Sequence, residues 1–318
     1  DALFISPHKL IGGPGTPGLL IVKKTIFEGG LPVVVGGGTV HFVTKSQQRY
    51  FEDIETREEG GTPGIIESIR AGMAFKLKDS VGAHNIEMLE EQYIERALHR
   101  FSDKPNIFVL GNVEAPRLGF LAFHIRFKGR LLHHNFVVAL LNDLFGIQSR
   151  GGCSCAGPYG HDLLELDEEK SQNYMLELDS GNVGSKPGWV RLNFNYFIPE
   201  EEFIFITDAV IWIADHGWKL MKNYHFDDDQ ALWVHNTPSM KGLNIIEDFL
   251  YNQPILKTGT DKKKRKARIA YFSQANDLAK IAEKEWQSSP FQKYKHNQIK
   301  NPLRWYALAD DVKKDVLS

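Results

Sequence analysis

Ala2-Leu3-Phe4-Ile5-Ser6-Pro7-His8-Lys9, then Gly12-Gly13-Pro14-Gly15-Thr16-Pro17-Gly18, then Leu19-Leu20-Ile21-Val22 read in order as a strand, a glycine-rich turn and a second strand. Both apolar runs are short and continuous, the pattern of buried strands. Lys9 ends the first run and is flanked by His8 and, three positions back, Ser6. A lysine so placed can form an imine with an aldehyde once burial or a nearby charge lowers its pKa. Ser6 and His8 can hold a phosphate. An imine partner beside a phosphate cradle points to pyridoxal phosphate (PLP). The rival reading is a solvated turn lysine. The nucleotide-loop pattern G-x-x-x-x-G-K-[ST] is absent.

Three further blocks follow. They are Gly36-Gly37-Gly38-Thr39-Val40; Arg57-Glu58-Glu59-Gly60-Gly61-Thr62-Pro63; and Arg150-Gly151-Gly152-Cys153-Ser154-Cys155-Ala156-Gly157-Pro158, with Trp189-Val190-Arg191 downstream. With Ser6-Pro7-His8-Lys9 they resemble, in order and over residues 1 to about 215, the class V aminotransferases, whose members include cysteine desulfurases and selenocysteine lyases. The family's blocks are Ser-x-His-Lys, Arg-Phe-Glu-x-Gly-Thr-Pro and, in the desulfurases, Arg-x-Gly-x-x-Cys-Ala-x-Pro. Pro7 stands where the family has a small residue.

The resemblance implies an α/β chain of the PLP-dependent aspartate-aminotransferase type (fold type I). Residues 1–104 would be the C-terminal part of the PLP-binding large domain, 105–225 the small α/β domain, and 226–318 an extension of unknown role. Family members carry a long segment before this lysine, holding the group that stacks on the PLP ring and the Asp that pairs with its nitrogen. Asp1 stands just before the lysine, so the chain is expected to be the C-terminal part of a longer protein.

The resemblance also assigns roles. Lys9 is the imine and proton-carrying lysine. Ser6 and His8 contact the PLP phosphate. Thr62 reaches the phosphate of the cofactor in the other subunit, implying a homodimer with shared sites; its rival reading is a helix N-cap. Arg191 binds the α-carboxylate of an amino-acid substrate; its rival is a structural ion pair. Cys155 is the nucleophile whose thiolate takes sulfur from cysteine, leaving alanine and an enzyme persulfide, with a sulfur-acceptor protein as a further partner. Its rival is a buried structural cysteine. Cys153 is extra and could accept sulfur from Cys155 or form a redox disulfide. Two alternatives stay open: transamination or another PLP lyase step without a cysteine nucleophile, and a catalytically incomplete interaction module.

Composition narrows the rest. The chain has 318 residues, 42% hydrophobic and 25% charged, a mix that supports a packed core. A net charge of −2 gives no global case for nucleic acid or a membrane surface. No apolar run approaches the roughly 20 residues that span a bilayer. The 2 cysteines, two positions apart, cannot staple a fold, which fits a reducing, cytoplasmic setting. An organellar address stays open because the expected N-terminal segment is absent. Two cysteines with nearby His161 are too few for zinc.

Periodicity predicts helices at Ile65 to Lys78 (apolar at Ile66, Ile69, Met73 and Leu77), Asn85 to Phe101, His133 to Phe145, and Pro199 to about Leu220. It predicts strands at Ile107–Leu110, Leu118–Phe127 and Val190–Phe194, and a loop carrying both cysteines. After Tyr224 the pattern degrades. Lys262–Arg268, with six basic side chains in seven, reads as a solvated tail or, less readily, a nucleic-acid contact. Weak helical periodicity surrounds Leu278, Ile281 and Trp286.

Overall fold

The computed structural model describes residues 1–27, 29–154, 156–237, 261–288 and 303–317. They form two compact units, Asp1–Ile86 and Glu87–Ser318.

In the first unit β1 (Ala2–Ile5) pairs antiparallel with β2 (Leu19–Val22), Ala2 opposite Val22 and Ile5 opposite Leu19. A 3₁₀ turn, Pro7–Lys9, leaves the end of β1. A hairpin of β3 (Val40–Val43) and β4 (Gln48–Tyr50) leads to α1 (Ile54–Glu58), capped by Asp53, whose carboxylate accepts the Thr56 N–H at 2.9 Å. Then come α2 (Ile65–Val81) and α3 (Ala83–Ser102). The unit boundary falls within α3.

β1, β2, α2 and α3 match the sequence reading and the β3–β4 hairpin and α1 are additions to it, but the burial of β1, β2 and α2 does not match. Phe4 is 80% exposed, and Leu3, Leu20 and Ile21 are exposed with it. The α2 stripe faces solvent as well, Ile66 at 67% and Met73 at 67%. A two-stranded ladder has no second strand layer to bury its faces. In this unit α2 buries only Ala71 and Ala74.

The second unit holds the core. A sheet runs β5 (Ile107–Val109), β6 (Phe120–Phe127), β9 (Trp189–Asn193), β8 (Arg150–Gly152), with the short β7 (Arg130–Leu131) on β6; every pair is antiparallel. Side chains alternate across a strand. Leu121, Phe123 and Ile125 of β6 face the core with Val190 and Leu192 of β9. α4 (His134–Phe145) buries Phe136, Val137, Leu140 and Leu141, and α7 (Glu200–His216) packs beside it. α5 (Pro158–Leu163) and α6 (Glu168–Asp179) lie between β8 and β9.

Here the structure adds to and corrects the sequence reading. α7 ends at His216 and continues as a 3₁₀ segment, Gly217–Asn223. Beyond Tyr224 a hairpin forms, β10 (Tyr224–Asp227) and β11 (Leu232–His235). Lys262–Arg268 is not a free tail. It opens α8 (Asp261–Ser288), and Arg268 reaches Glu201 and Glu202 at 3.4 and 3.1 Å. The buried face of α8 is Ala275, Ala279, Ala282 and Trp286, while Leu278 and Ile281 are exposed. Small residues let the helix approach closely, so its largest aliphatics point outward. The chain's described end adds a bridge from Tyr306 to Leu131 and then α9 (Ala309–Leu317). No helix among the described residues is long and apolar enough to cross a membrane.

A stack of rings ties that end to α4. His133 is fully buried and lies 4.3 Å from His134, 5.2 Å from Trp305 and 4.6 Å from Tyr306, between ring centroids. Burial, then the neighbouring imidazole, drives the His133 pKa far down; burial drives His134 to about 3. Both are neutral in the fold, whereas an unfolded histidine takes a proton below about 6.5. Stability is therefore complete above that value and is lost progressively as pH falls below it, for His134 down towards about 3. Urea midpoints should fall steadily from pH 7 to pH 5 at constant m, and His133→Phe should flatten the slope. An equally steep slope in that variant would place the effect elsewhere.

Candidate functional site

Lys9 ends its 3₁₀ turn exposed, its backbone N–H donating to Ser6 O at 3.0 Å. The turn closes tightly: a Cβ on Gly13 would lie 1.9 Å from Pro7 O, so only glycine fits there. Arg70 of α2 donates to Pro14 O at 2.8 Å and holds the turn from the other side. The side chains of Ser6, His8 and Lys9 have no hydrogen-bond or ionic partner among the described residues. A hydroxyl, an imidazole and an amine on one turn, all uncommitted, fit a phosphate and an aldehyde. The donor set therefore accommodates PLP.

The second and third blocks meet in the same unit. Gly61 N–H donates to Gly37 O at 2.7 Å, and Glu58 accepts the Val33 N–H at 2.9 Å while pairing with buried Arg57 at 3.5 Å. Thr62 is exposed, three residues before α2. The N-cap of α2 is Gly64, without a side-chain bond, so Thr62 is not the cap. Its hydroxyl is left available.

Arg191 lies in the second unit. Val190 and Leu192 face the core, so Arg191 faces the opposite side of the sheet, opposite Ala122 on β6 and Arg150 on β8. That side opens into a cavity of about 390 Å³ lined by Arg191, Arg117, Ala122, Ser154, Ala156 and Tyr159, among others. Arg191 has no acidic partner among the described residues; its guanidinium carbon lies 5.6 Å from the Phe120 ring, and Nε is buried without a hydrogen bond. The structural ion pair is thus not formed here.

The cysteine segment is more structured than a loop. Arg150–Gly152 is a strand, and α5 begins at Pro158. Between them Ala156 N–H donates to Cys153 O at 3.0 Å, and Ser154 takes φ 53°, a left-handed conformation that costs a non-glycine residue about 1 kcal/mol. Cys155 lies outside the described residues. Its neighbours Ser154 and Ala156 line the Arg191 cavity. Cys153 is a free, half-buried thiol on a different cavity of about 400 Å³, with His161, Tyr174 and Lys186. The segment is fixed from below by Gly188: a Cβ there would lie 2.6 Å from the Gly152 backbone. Gly188→Ala is therefore expected to lower stability by about 1–3 kcal/mol. Urea denaturation checks this, and an unchanged midpoint would contradict it.

The sequence reading missed Arg117, Tyr159 and Ser154. Arg117 precedes β6 in a loop without periodicity. Its one signal was a cation at the mouth of the strand that pairs with Arg191's strand.

A family model described as Aminotransferase class-V matches residues 1–177. A protein of Halalkalibacterium halodurans described as "Probable cysteine desulfurase" is 32% identical over 158 residues, 50% of this chain and 37% of that protein. A cysteine desulfurase of Yersinia pseudotuberculosis is 30% identical over the same shares of each. The chain thus matches well under half the length of these relatives. Among solved structures, the apo cysteine desulfurase of Thermococcus onnurineus NA1 superposes with a TM-score of 0.52 at 23% identity, covering 68% of this chain and 47% of that one. The fold is the PLP fold type I.

Proposed function

The chain belongs to the class V aminotransferase family, and on that premise we propose that the whole protein is a PLP-dependent, cysteine desulfurase-like enzyme that releases sulfur from L-cysteine through a persulfide on Cys155. The family's cofactor is PLP. The observation that carries the reading is the cavity in which Arg191, without an acidic partner among the described residues, stands beside the two residues that flank Cys155. The fold and the relatives' names support the same reaction class.

When bound, PLP supplies the electron sink that makes the substrate's β-carbon–sulfur bond labile. Ser6 and His8 would hold its phosphate. Lys9 Nζ would anchor it and would deliver the proton that the alanine product gains. Arg191 grips the α-carboxylate with its planar fork. The Cys155 thiolate attacks the substrate sulfur, so a sulfur–sulfur bond forms as the carbon–sulfur bond breaks. Cys155 ends as the persulfide, to be passed to an acceptor protein.

The domain limits belong to the same proposal: residues 1–104 end the large domain, 105–225 form the small domain and 226–318 extend it. So does the homodimer, in which Thr62 reaches the partner subunit's cofactor; its exposed hydroxyl supports this. A cytoplasmic setting accords with a free Cys153.

Alanine and sulfide released in equal amounts from L-cysteine by the whole protein, with a thiol reductant present, test the reaction. Transamination instead yields a keto acid and no sulfide. Lysine is a point charge and cannot reproduce the fork. Arg191→Lys should therefore raise KM for cysteine by about tenfold or more while leaving PLP absorbance intact. Loss of PLP with unchanged KM would make Arg191 structural or a phosphate ligand.

A further inference from the structure

The Arg191 cavity holds more positive charge than one carboxylate needs. Arg117 lines it too, and none of its described lining residues is acidic. Among the described residues the Arg117 side chain makes one hydrogen bond, to the Leu110 carbonyl at 3.1 Å, and its Nε is buried without a partner. Burial pulls its pKa down, against a smaller opposing pull from Tyr159. A guanidinium stays charged regardless. Beside it stands the Tyr159 hydroxyl: a Cβ built on Gly111 would lie 3.6 Å from an Arg117 terminal nitrogen and 3.7 Å from that oxygen. Gly111 thus lies close to both groups and to a Leu163 methyl carbon at 3.5 Å, and the Arg117 nitrogen there is the one bonded to Leu110 O.

Two half-buried guanidinium groups lining one amino-acid-sized space, each with a buried Nε that lacks a hydrogen bond, favour a ligand with two negative charges. We propose that Arg117 and Tyr159 form a second anion subsite, so that the cavity selects amino acids whose side chain, as well as the α-carboxylate, is anionic. This rests on the reading of Arg191 as the α-carboxylate ligand. Cysteine meets the requirement as its thiolate, and a field of two cations favours that form. Arg117 is then a specificity-determining residue for the side chain.

The test uses L-aspartate and L-asparagine, which share shape and differ in one charge, with L-alanine as reference, titrated calorimetrically into the chain. Aspartate should bind at least about tenfold more tightly than asparagine, and asparagine no better than alanine. Arg117→Gln should abolish the aspartate preference and leave alanine binding unchanged. Tyr159→Phe, at an exposed position, should reduce the preference about threefold and serves if Arg117→Gln does not fold. Equal binding of aspartate and asparagine overturns the proposal, as does a preference that survives the variant that folds. Arg191→Gln should weaken all three ligands. If Arg191→Gln weakens none while the aspartate preference persists, the α-carboxylate assignment fails and the Arg117 subsite stands.

Discussion

Lys9→Ala in the whole protein should reduce turnover of L-cysteine by about a thousandfold or more while leaving the fold intact. One side chain is assigned both the anchoring of the cofactor and the proton transfer, and proton transfer alone accounts for about 10²–10⁴ in rate. The fold should survive because Lys9 is exposed and its side chain contributes no bond to the turn, which is closed by the backbone and by Gly13. Borohydride reduction of the holoenzyme should add the cofactor's mass to the Lys9 peptide. Mass on another lysine, or turnover within tenfold of the parent, would remove Lys9 from the centre of the site.

Cys155→Ser should eliminate sulfur release from cysteine, and Cys153→Ser should only slow it. A hydroxyl cannot accept sulfur as a thiolate does. Cys155 stands between Ser154 and Ala156, which line the Arg191 cavity, whereas Cys153 lines another. Sulfide and alanine assays on both variants separate the outcomes. Full release by Cys155→Ser would move the reading to an aminotransferase or to a lyase without a cysteine nucleophile.

Much of this was legible because motifs are local. Ser6, His8 and Lys9 sit on one turn, and the sequence shows that without any folding argument. The strands and helices of the second unit were legible where apolar periodicity met a layered core, as at Leu121, Phe123 and Ile125. Burial was not legible for β1, β2 or α2. Periodicity shows which face is apolar but not what lies against it, and no described residue of the first unit covers Phe4 or Ile66. In α8 the reading named Trp286, which is buried, but followed the exposed Leu278 and Ile281 with it and missed the alanine face, since close approach of helices favours small residues over hydrophobic ones. The place of Arg191 between two apolar strand residues was legible, but its side of the sheet was established by the strand pairing. Its sharing of a cavity with Arg117 was not legible, because those residues are brought together only by the pairing of β6 with β9.

The most direct test of the persulfide reading is to incubate the whole protein with L-cysteine, trap persulfides with a selective alkylating reagent and fragment the peptide carrying Cys153 and Cys155. The account predicts one added sulfur on Cys155, formed together with one alanine and absent after Lys9→Ala. Alanine formed without any persulfide, or a label confined to Cys153, would contradict it.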